Sequence, residues 1–422
     1  MLGFMMESGA KGIPQPHVAI SPAGFETVSF DAFPVMPWDS QPGSKKWKNG
    51  VDTIAACSFN FAGFVWREDL PACEQNGLAA IMLSKKRIKP RGWRDLSDAE
   101  IDGWVKRFVE ESGQSPAVAG YFIVDEPGAG DFPALGKVVA SVRKYAPGKL
   151  AYINLFPNYA TLGAENLSQL ETRSYEEYLE RYVSEVRPQF ISYDNYMVQF
   201  SMDLKKPKQT ALYFTNLLEV RRVARKYGLP YWNIVSSNQI RPATVIPSPA
   251  NLLLQAYTTL AAGYANLTWY TYYATGYGYA PINEKDEKTG TWRWLQEVNR
   301  QVAVLGPYML KLASTDVWFT GPAVAEGLPV LPGKCVATLK SDSPFMVGEF
   351  RHEDGSEWVM AVNLSLERSA NFTVTTVGDA TVSVVSPEDG RIMPYDPNKG
   401  YWLVAGQGAL LRLDRSNRKD LQ

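Results

Sequence analysis

The stretch Val118-Ala-Gly-Tyr-Phe-Ile-Val-Asp-Glu-Pro127 decides the fold class. Uncharged, mostly apolar residues run without alternation into Asp125 and Glu126, and a proline ends the run. An unbroken apolar run of this length is what a strand covered on both faces requires, because neither face meets water. Such a strand, delivering two acids at its C-terminal end, places them on the rim where parallel barrels do their chemistry.

Working outward, runs of the same kind recur at 33–37, 52–57, 78–83, 150–155, 189–193, 231–235 and 266–270, which with 118–124 makes eight strands. The spacers carry helical periodicity. Ser97 and Glu100 form a capping box ahead of a stripe of Ile101, Trp104, Val105, Phe108 and Val109. A second stripe, Tyr175, Tyr178, Leu179, Tyr182, Val183 and Val186, stops before Pro188. Helices over 211–227 and 251–262 end at Gly228 and Gly263 in C-cap positions. This βα rhythm predicts an α/β fold, a (β/α)8 TIM barrel over 31–310, with residues 1–30 as an N-terminal extension packing on it. Beyond 310 the pattern changes to β-rich runs at 357–364, 371–377, 381–385 and 409–413, with turns at Asp354-Gly355 and Asp389-Gly390. The expectation for 311–415 is a small C-terminal antiparallel β-sandwich.

Composition narrows the function. The chain of 422 residues has 43 basic and 44 acidic side chains, and a net charge of -1 leaves no electrostatic footprint for nucleic acid or an anionic membrane. No apolar run approaches the length of a membrane span, and Met1 to Gly12 lacks the pattern of a leader, so compartment and oligomeric state stay open. Three scattered cysteines, Cys57, Cys73 and Cys335, and two histidines, His17 and His352, provide neither a metal ligand set nor a Ser-His-Asp triad. No phosphate-cradling glycine motif follows a strand. The expectation is an enzyme without cofactor or metal, working through carboxylates.

The strand ends supply the candidate site. Asp125 and Glu126 close the fourth run, Asn154 the fifth, and Asp194 and Tyr196 the sixth. Trp269, Tyr270 and Tyr272 lie at the eighth, and Trp38 and Asp39 at the first. Acids, hydroxyl-binding amides and aromatic platforms converging on one mouth make the composition of a carbohydrate site. The predicted sugar-binding set is Trp38, Asp39, Asn154, Tyr196, Trp269, Tyr270 and Tyr272. Glycosidic cleavage needs a protonated acid at the leaving oxygen and a second group near the anomeric carbon. Glu126 fits the acid, because burial or a neighbouring charge at a strand end raises a carboxyl pKa.

Asp125-Glu126-Pro127 at the end of the fourth strand resembles the Asn-Glu-Pro triplet of the clan A glycoside hydrolases, whose (β/α)8 barrels carry the acid/base Glu there. The resemblance implies a glycosidase with Glu126 as proton donor. It departs at the seventh strand, where those enzymes place a nucleophilic Glu and this chain has Asn233-Ile-Val-Ser-Ser237. Asp194, from the sixth strand, is one candidate for the second role. Asp125 is the other: the Asp-Glu pair is also similar to that of the substrate-assisted N-acetylhexosaminidases of glycoside hydrolase families 20 and 123, which would make Asp125 the group that steers the substrate's own acetamide. A barrel that binds carbohydrate without cleaving it is the remaining reading from another class.

Overall fold

The computed structural model describes residues 12–39, 50–201, 204–320 and 327–415. A hairpin of β1 (Pro16–Ile20) and β2 (Glu26–Phe30) leads into the first barrel strand, β3 (Val35–Pro37). There follow β4 (Phe61–Val65), β5 (Ala79–Leu83), β6 (Val118–Asp125), β7 (Leu150–Leu155), β8 (Ile191–Asp194), β9 (Tyr231–Ser236) and β10 (Leu267–Tyr270). β3 to β10 form one parallel eight-stranded sheet in the order β3-β10-β9-β8-β7-β6-β5-β4. The sheet rolls into a nearly closed barrel. Its helical coat is α1 (Val51–Ala56), α2 (Leu70–Gln75), α3 (Asp98–Ser112), α4 (Phe132–Tyr145), α5 (Tyr175–Arg181), α6 (Pro207–Tyr227), α7 (Pro249–Ala261) and α8 (Gly290–Met309).

The second strand is not where the sequence pattern put it. Residues 52–57 form α1, which turns Val51 and Ile54 inward, and the strand is Phe61–Val65. Six residues with three alanine or isoleucine side chains suit either element, so periodicity cannot separate them. The true strand carries Ala62 and Gly63 in its middle, residues of low strand propensity. Packing favours the glycine: a Cβ at Gly63 would lie 2.5 Å from the sulfur of Met36, whose side chain would have to move.

The seam between β3 and β4 is closed by one side chain. The Asn60 backbone N–H donates to the Val35 carbonyl at 3.2 Å. Its Oδ1 accepts from Val35 N at 2.8 Å, and its Nδ2 donates to the Phe33 carbonyl at 3.0 Å. An amide can imitate a peptide group in this way, so the Val35 N–H and carbonyl are satisfied although β3 and β4 share no ladder. Below, the hairpin plugs the N-terminal end of the bore: Phe30 packs edge-on against Phe61 at 4.8 Å and joins Met36, Tyr152 and Trp232 in the interior cluster.

Capping works as the sequence reads. Ser97 Oγ accepts from Glu100 N while Glu100 returns a bond to Ser97 N at 2.8 Å. Ser174 caps α5, whose stripe continues through one π-helical turn, Tyr182–Val186.

The C-terminal part contains β11 (Leu312–Phe319), β12 (Val336–Lys340), β13 (Phe345–His352), β14 (Glu357–Asn363), β15 (Ala370–Thr376), β16 (Ala380–Val385), β17 (Ile392–Pro394), β18 (Tyr401–Leu403) and β19 (Gly408–Arg415). They make a six-stranded sheet, β11-β13-β14-β19-β16-β17, facing a three-stranded one, β12-β15-β18. The inner faces share a core of residues such as Phe345, Val359, Phe372 and Leu411. The outer face of the larger sheet lies on α7, and glycines permit the approach: a Cβ at Gly348 would sit 1.9 Å from the Ala261 carbonyl oxygen. Among the described residues no helix is long and apolar enough to cross a membrane.

Asn60→Ala is expected to lower the unfolding free energy by about 2 kcal/mol, because Val35 N and Phe33 O lose their partners at the seam. Urea unfolding followed by circular dichroism measures the loss.

Candidate active site

Side chains alternate between the bore and the helical coat along each barrel strand, and this sorts the candidates. On β10 Tyr270 turns into the mouth, while Trp269 turns out: it is fully buried in the coat, its indole N–H donating to Asn299 Oδ1 at 2.8 Å. Tyr272 is also fully buried away from the mouth, donating to Thr53 Oγ1 at 3.1 Å and accepting from Trp292 Nε1 at 2.8 Å. Both were expected to bind sugar. Neither reaches it, because their faces are taken by helix packing.

On β6 strict alternation would turn Asp125 away from the bore, since Phe122 already faces inward. A bulge prevents this. Phe122 pairs with Tyr152 and Val124 with Ile153, so Ile123 is an extra residue, and Asp125 comes into register with Asn154. Ile123 and Val124 both pack into the coat, and the acid is re-aimed into the mouth. Glu126 follows in the left-handed region, φ 48°, with its N–H donating to the Asn154 carbonyl at 2.9 Å. Tyr178 holds the next residue by donating to Pro127 O at 2.7 Å. A non-glycine residue held at positive φ needs such fastening to persist.

Asn154 organises the acids. Its Nδ2 donates to Asp125 Oδ1 at 3.0 Å and to Asp194 Oδ1 at 2.8 Å, which keeps those two oxygens within about 6 Å of each other. Its Oδ1 accepts from Ser192 Oγ at 3.0 Å, and Ser192 Oγ is 3.1 Å from the Tyr152 hydroxyl. The chain of bonds fixes which end of the amide faces the carboxylates. Asp194 and Asn154 are buried, whereas Asp125 opens to the cleft and Glu126 is half-buried.

Concentrating acids in a protein-walled cleft shifts them all upward. Burial pushes the Asp125 carboxyl up to about 6, opposed by the Asn154 hydrogen bond and reinforced by Asp39. Asp125 meets solvent through the cleft, yet protein surrounds it on the other sides, so both descriptions hold. Burial likewise brings Asp39 to about 6, against the pull of Arg87. Asp194 is raised by burial first and then by Asp125. Glu126 is raised furthest, by burial, then by Asp194, then by Asp125.

Aromatic rings line the rest of the mouth. Tyr196 lies on Tyr270 with ring centroids 5.2 Å apart, the Tyr270 hydroxyl is 2.7 Å from that of Tyr277, and Trp38 stands 6.2 Å from Tyr270. Trp38 packs edge-on to Phe64 at 4.7 Å and forms the floor. The end of β9 carries no acid: Ser236 N donates to Gln255 Oε1 at 2.8 Å, and Ser237 Oγ to the Thr271 carbonyl at 3.0 Å. Among the described residues no group of three His, Cys, Asp or Glu side chains could hold a metal ion.

The strand-end survey misses three residues. Tyr159, four residues past β7, stands beside Asp194 and Glu126, and its phenolate is disfavoured first by burial and then by those acids. Arg87 and Lys89, beyond β5, line a cavity of about 340 Å³ together with Trp38, Asp39, Phe122 and Asp125. Their only sequence signal is position in the loop after a strand, a few residues beyond its end.

No protein-family model matches this sequence, and no curated protein sequence matches it. Solved structures do. A glycoside hydrolase family 5 protein from Bacteroides vulgatus ATCC 8482 superposes with a TM-score of 0.58 at 11% identity, over 96% of this chain and 94% of its own. A second structure, a glycoside hydrolase, gives 0.58 at 11% identity over 95% and 97%. These likenesses are of fold. They span barrel and C-terminal sheets alike, so the whole two-part architecture is shared.

Asp194→Asn tests the strained electrostatics. A raised folded-state pKa means that the anion is disfavoured in the folded chain, so stability falls as pH climbs from the ordinary carboxylate value of 3.8 toward neutrality. The substitution is expected to raise the unfolding free energy by about 1–2 kcal/mol at pH 8 and by nothing at pH 4, measured by urea unfolding at both.

Proposed function

We propose that the chain is a glycoside hydrolase, cleaving glycosidic bonds of an oligo- or polysaccharide with Glu126 as general acid/base. The observation that carries this reading is the Glu126 carboxyl: it stands at the C-terminal mouth of the fourth barrel strand, is fastened in a left-handed conformation, and is kept protonated by burial and by Asp194 and Asp125. A protonated carboxylic acid in a cleft walled by Trp38, Tyr196 and Tyr270 is what protonation of a leaving glycosidic oxygen requires. Positive charge developing on the sugar ring is stabilised by the remaining carboxylates. Where the sugar is first attacked by a protein or acetamide oxygen, Glu126, once ionised, takes the proton from the incoming water.

The second carboxylate divides the reading in two. Asp194 lies two strands away from Glu126, so it approaches the sugar from another side of the mouth, as an attacking group or a base for water must. Asp125 leaves the same strand end as Glu126 and opens to the cleft, whereas Asp194 is covered. A carboxylate on the acid's own side suits a substrate-assisted reaction, in which it orients an acetamide of the sugar. The exposure of Asp125 favours this second reading, and the likeness to glycoside hydrolase folds is common to both.

Reducing-end release from a panel of polysaccharides and chromogenic glycosides tests the proposal. Glu126→Gln is expected to lower kcat by at least about a thousandfold with the fold intact. Full activity in that variant overturns the assignment, and glycan binding by the wild-type chain without any release places it among binding proteins. Asp125→Asn abolishes cleavage of N-acetylated substrates under the substrate-assisted reading, and Asp194→Asn does so under the direct one. The pH profile is a further check. Because the acid works protonated and its pKa is raised, the alkaline limb of kcat/KM is expected above neutral pH, while the acid limb follows the carboxylate near 6.

A further inference from the structure

The loop after β5 holds six cations between positions 84 and 94, of which three are tied to carboxylates and two face the candidate site. Lys85 pairs with Glu68, Arg91 with Glu171 at 3.4 Å, and Arg94 with Asp131 at 3.0 Å and Glu171 at 2.8 Å. These pairs, with the Trp104 indole donating to the Lys86 carbonyl at 2.8 Å and the Trp93 ring edge-on to Trp104 at 5.1 Å, pin the loop on both sides of its tip. The tip is Arg87-Ile88-Lys89. Both cations line the cavity that holds Asp39 and Asp125, both are exposed, and among the described residues neither makes an ion pair.

Arg87 acts on Asp39 and Asp125 only through its field. A cation serving to neutralise those acids would close to hydrogen-bonding distance, where a charged pair gains most. Two cations held off the acids by a fastened loop are instead presented to the cavity. On the reading of the chain as a glycosidase, we propose that Arg87 and Lys89 form a subsite for an anionic substituent of the sugar, a carboxylate or a sulfate ester, so that the substrate is an acidic glycan. A planar guanidinium matches either oxyanion in a bidentate way, and the ammonium adds a point charge beside it. Asp39 and Asp125 share the cavity and oppose a bound anion, which is why two cations and not one are presented there; Glu126, kept protonated, adds no further charge against it.

The test uses the full chain with Glu126→Gln, which binds without cleaving, and glycans in pairs: a uronate-containing polysaccharide with its carboxyl-reduced form, and a sulfated one with its desulfated form. The charged member of one pair is expected to bind about tenfold more tightly or better, and the pair in which this occurs tells carboxylate from sulfate. Arg87→Ala and Lys89→Ala are expected to shrink that preference about tenfold, Arg87→Lys to keep part of it, and high salt to weaken it. Because both side chains are exposed, unfolding temperatures verify that the variants fold. Equal binding of charged and neutral members, an unchanged preference in the alanine variants, or no glycan binding overturns the subsite. Arg87-dependent binding of acidic glycans that the wild-type chain never cleaves overturns the hydrolase reading and leaves the subsite standing.

Discussion

One amide group, the Nδ2 of Asn154, donates to two carboxylates, and the chemistry of the mouth depends on that sharing. Two acids near each other repel and would rotate apart unless a donor held both. Asn154 holds them, and Ser192 and Tyr152 behind it prevent the amide from turning over. The result is a fixed concentration of negative charge beside Glu126, which adds to burial in keeping the proton on that acid. A lysine in place of Asn154 would neutralise the pair and remove the push.

The same residue reaches Glu126 a second way, since its backbone carbonyl accepts the Glu126 N–H. Beyond Glu126 the chain is clamped from outside the barrel. Arg94 spans Asp131 and Glu171, whose side chains are wholly buried, and Gly130 N donates to Glu171 Oε2 at 2.8 Å. Gly128 is needed there, because a Cβ would meet the Glu171 carboxyl at 2.7 Å. The loops after the third, fourth and fifth barrel strands are therefore one ionic knot. An acid in a disfavoured backbone conformation persists because its neighbours on both sides are immobile.

The alternation of apolar runs with capped helices was legible without coordinates, and so was the placing of Glu126 at the end of the fourth strand. The count survived one misplaced strand because α1 and the true β4 are neighbours in the chain, so exchanging them changed no later number. The gap at the seventh strand was legible too, as a plain absence of acid in 233–237. What failed were statements about facing. Trp269 and Tyr270 are adjacent, and only the direction of the strand relative to the bore tells which one meets the mouth.

The sequence by itself determined most local choices: where seven of the eight barrel strands lie, which serines cap helices, and which acids stand at strand ends. Those follow from the chain's own periodicity and short-range hydrogen bonding. Tertiary structure decided everything that requires a second strand for reference. The bulge at Ile123 is defined only by its register with β7, the raised acids only by burial in the assembled mouth and by neighbours from other strand ends, and the free pair Arg87 and Lys89 only by contrast with cations whose partners lie up to 80 residues away. Charge and register are relations between segments, and no single segment records them.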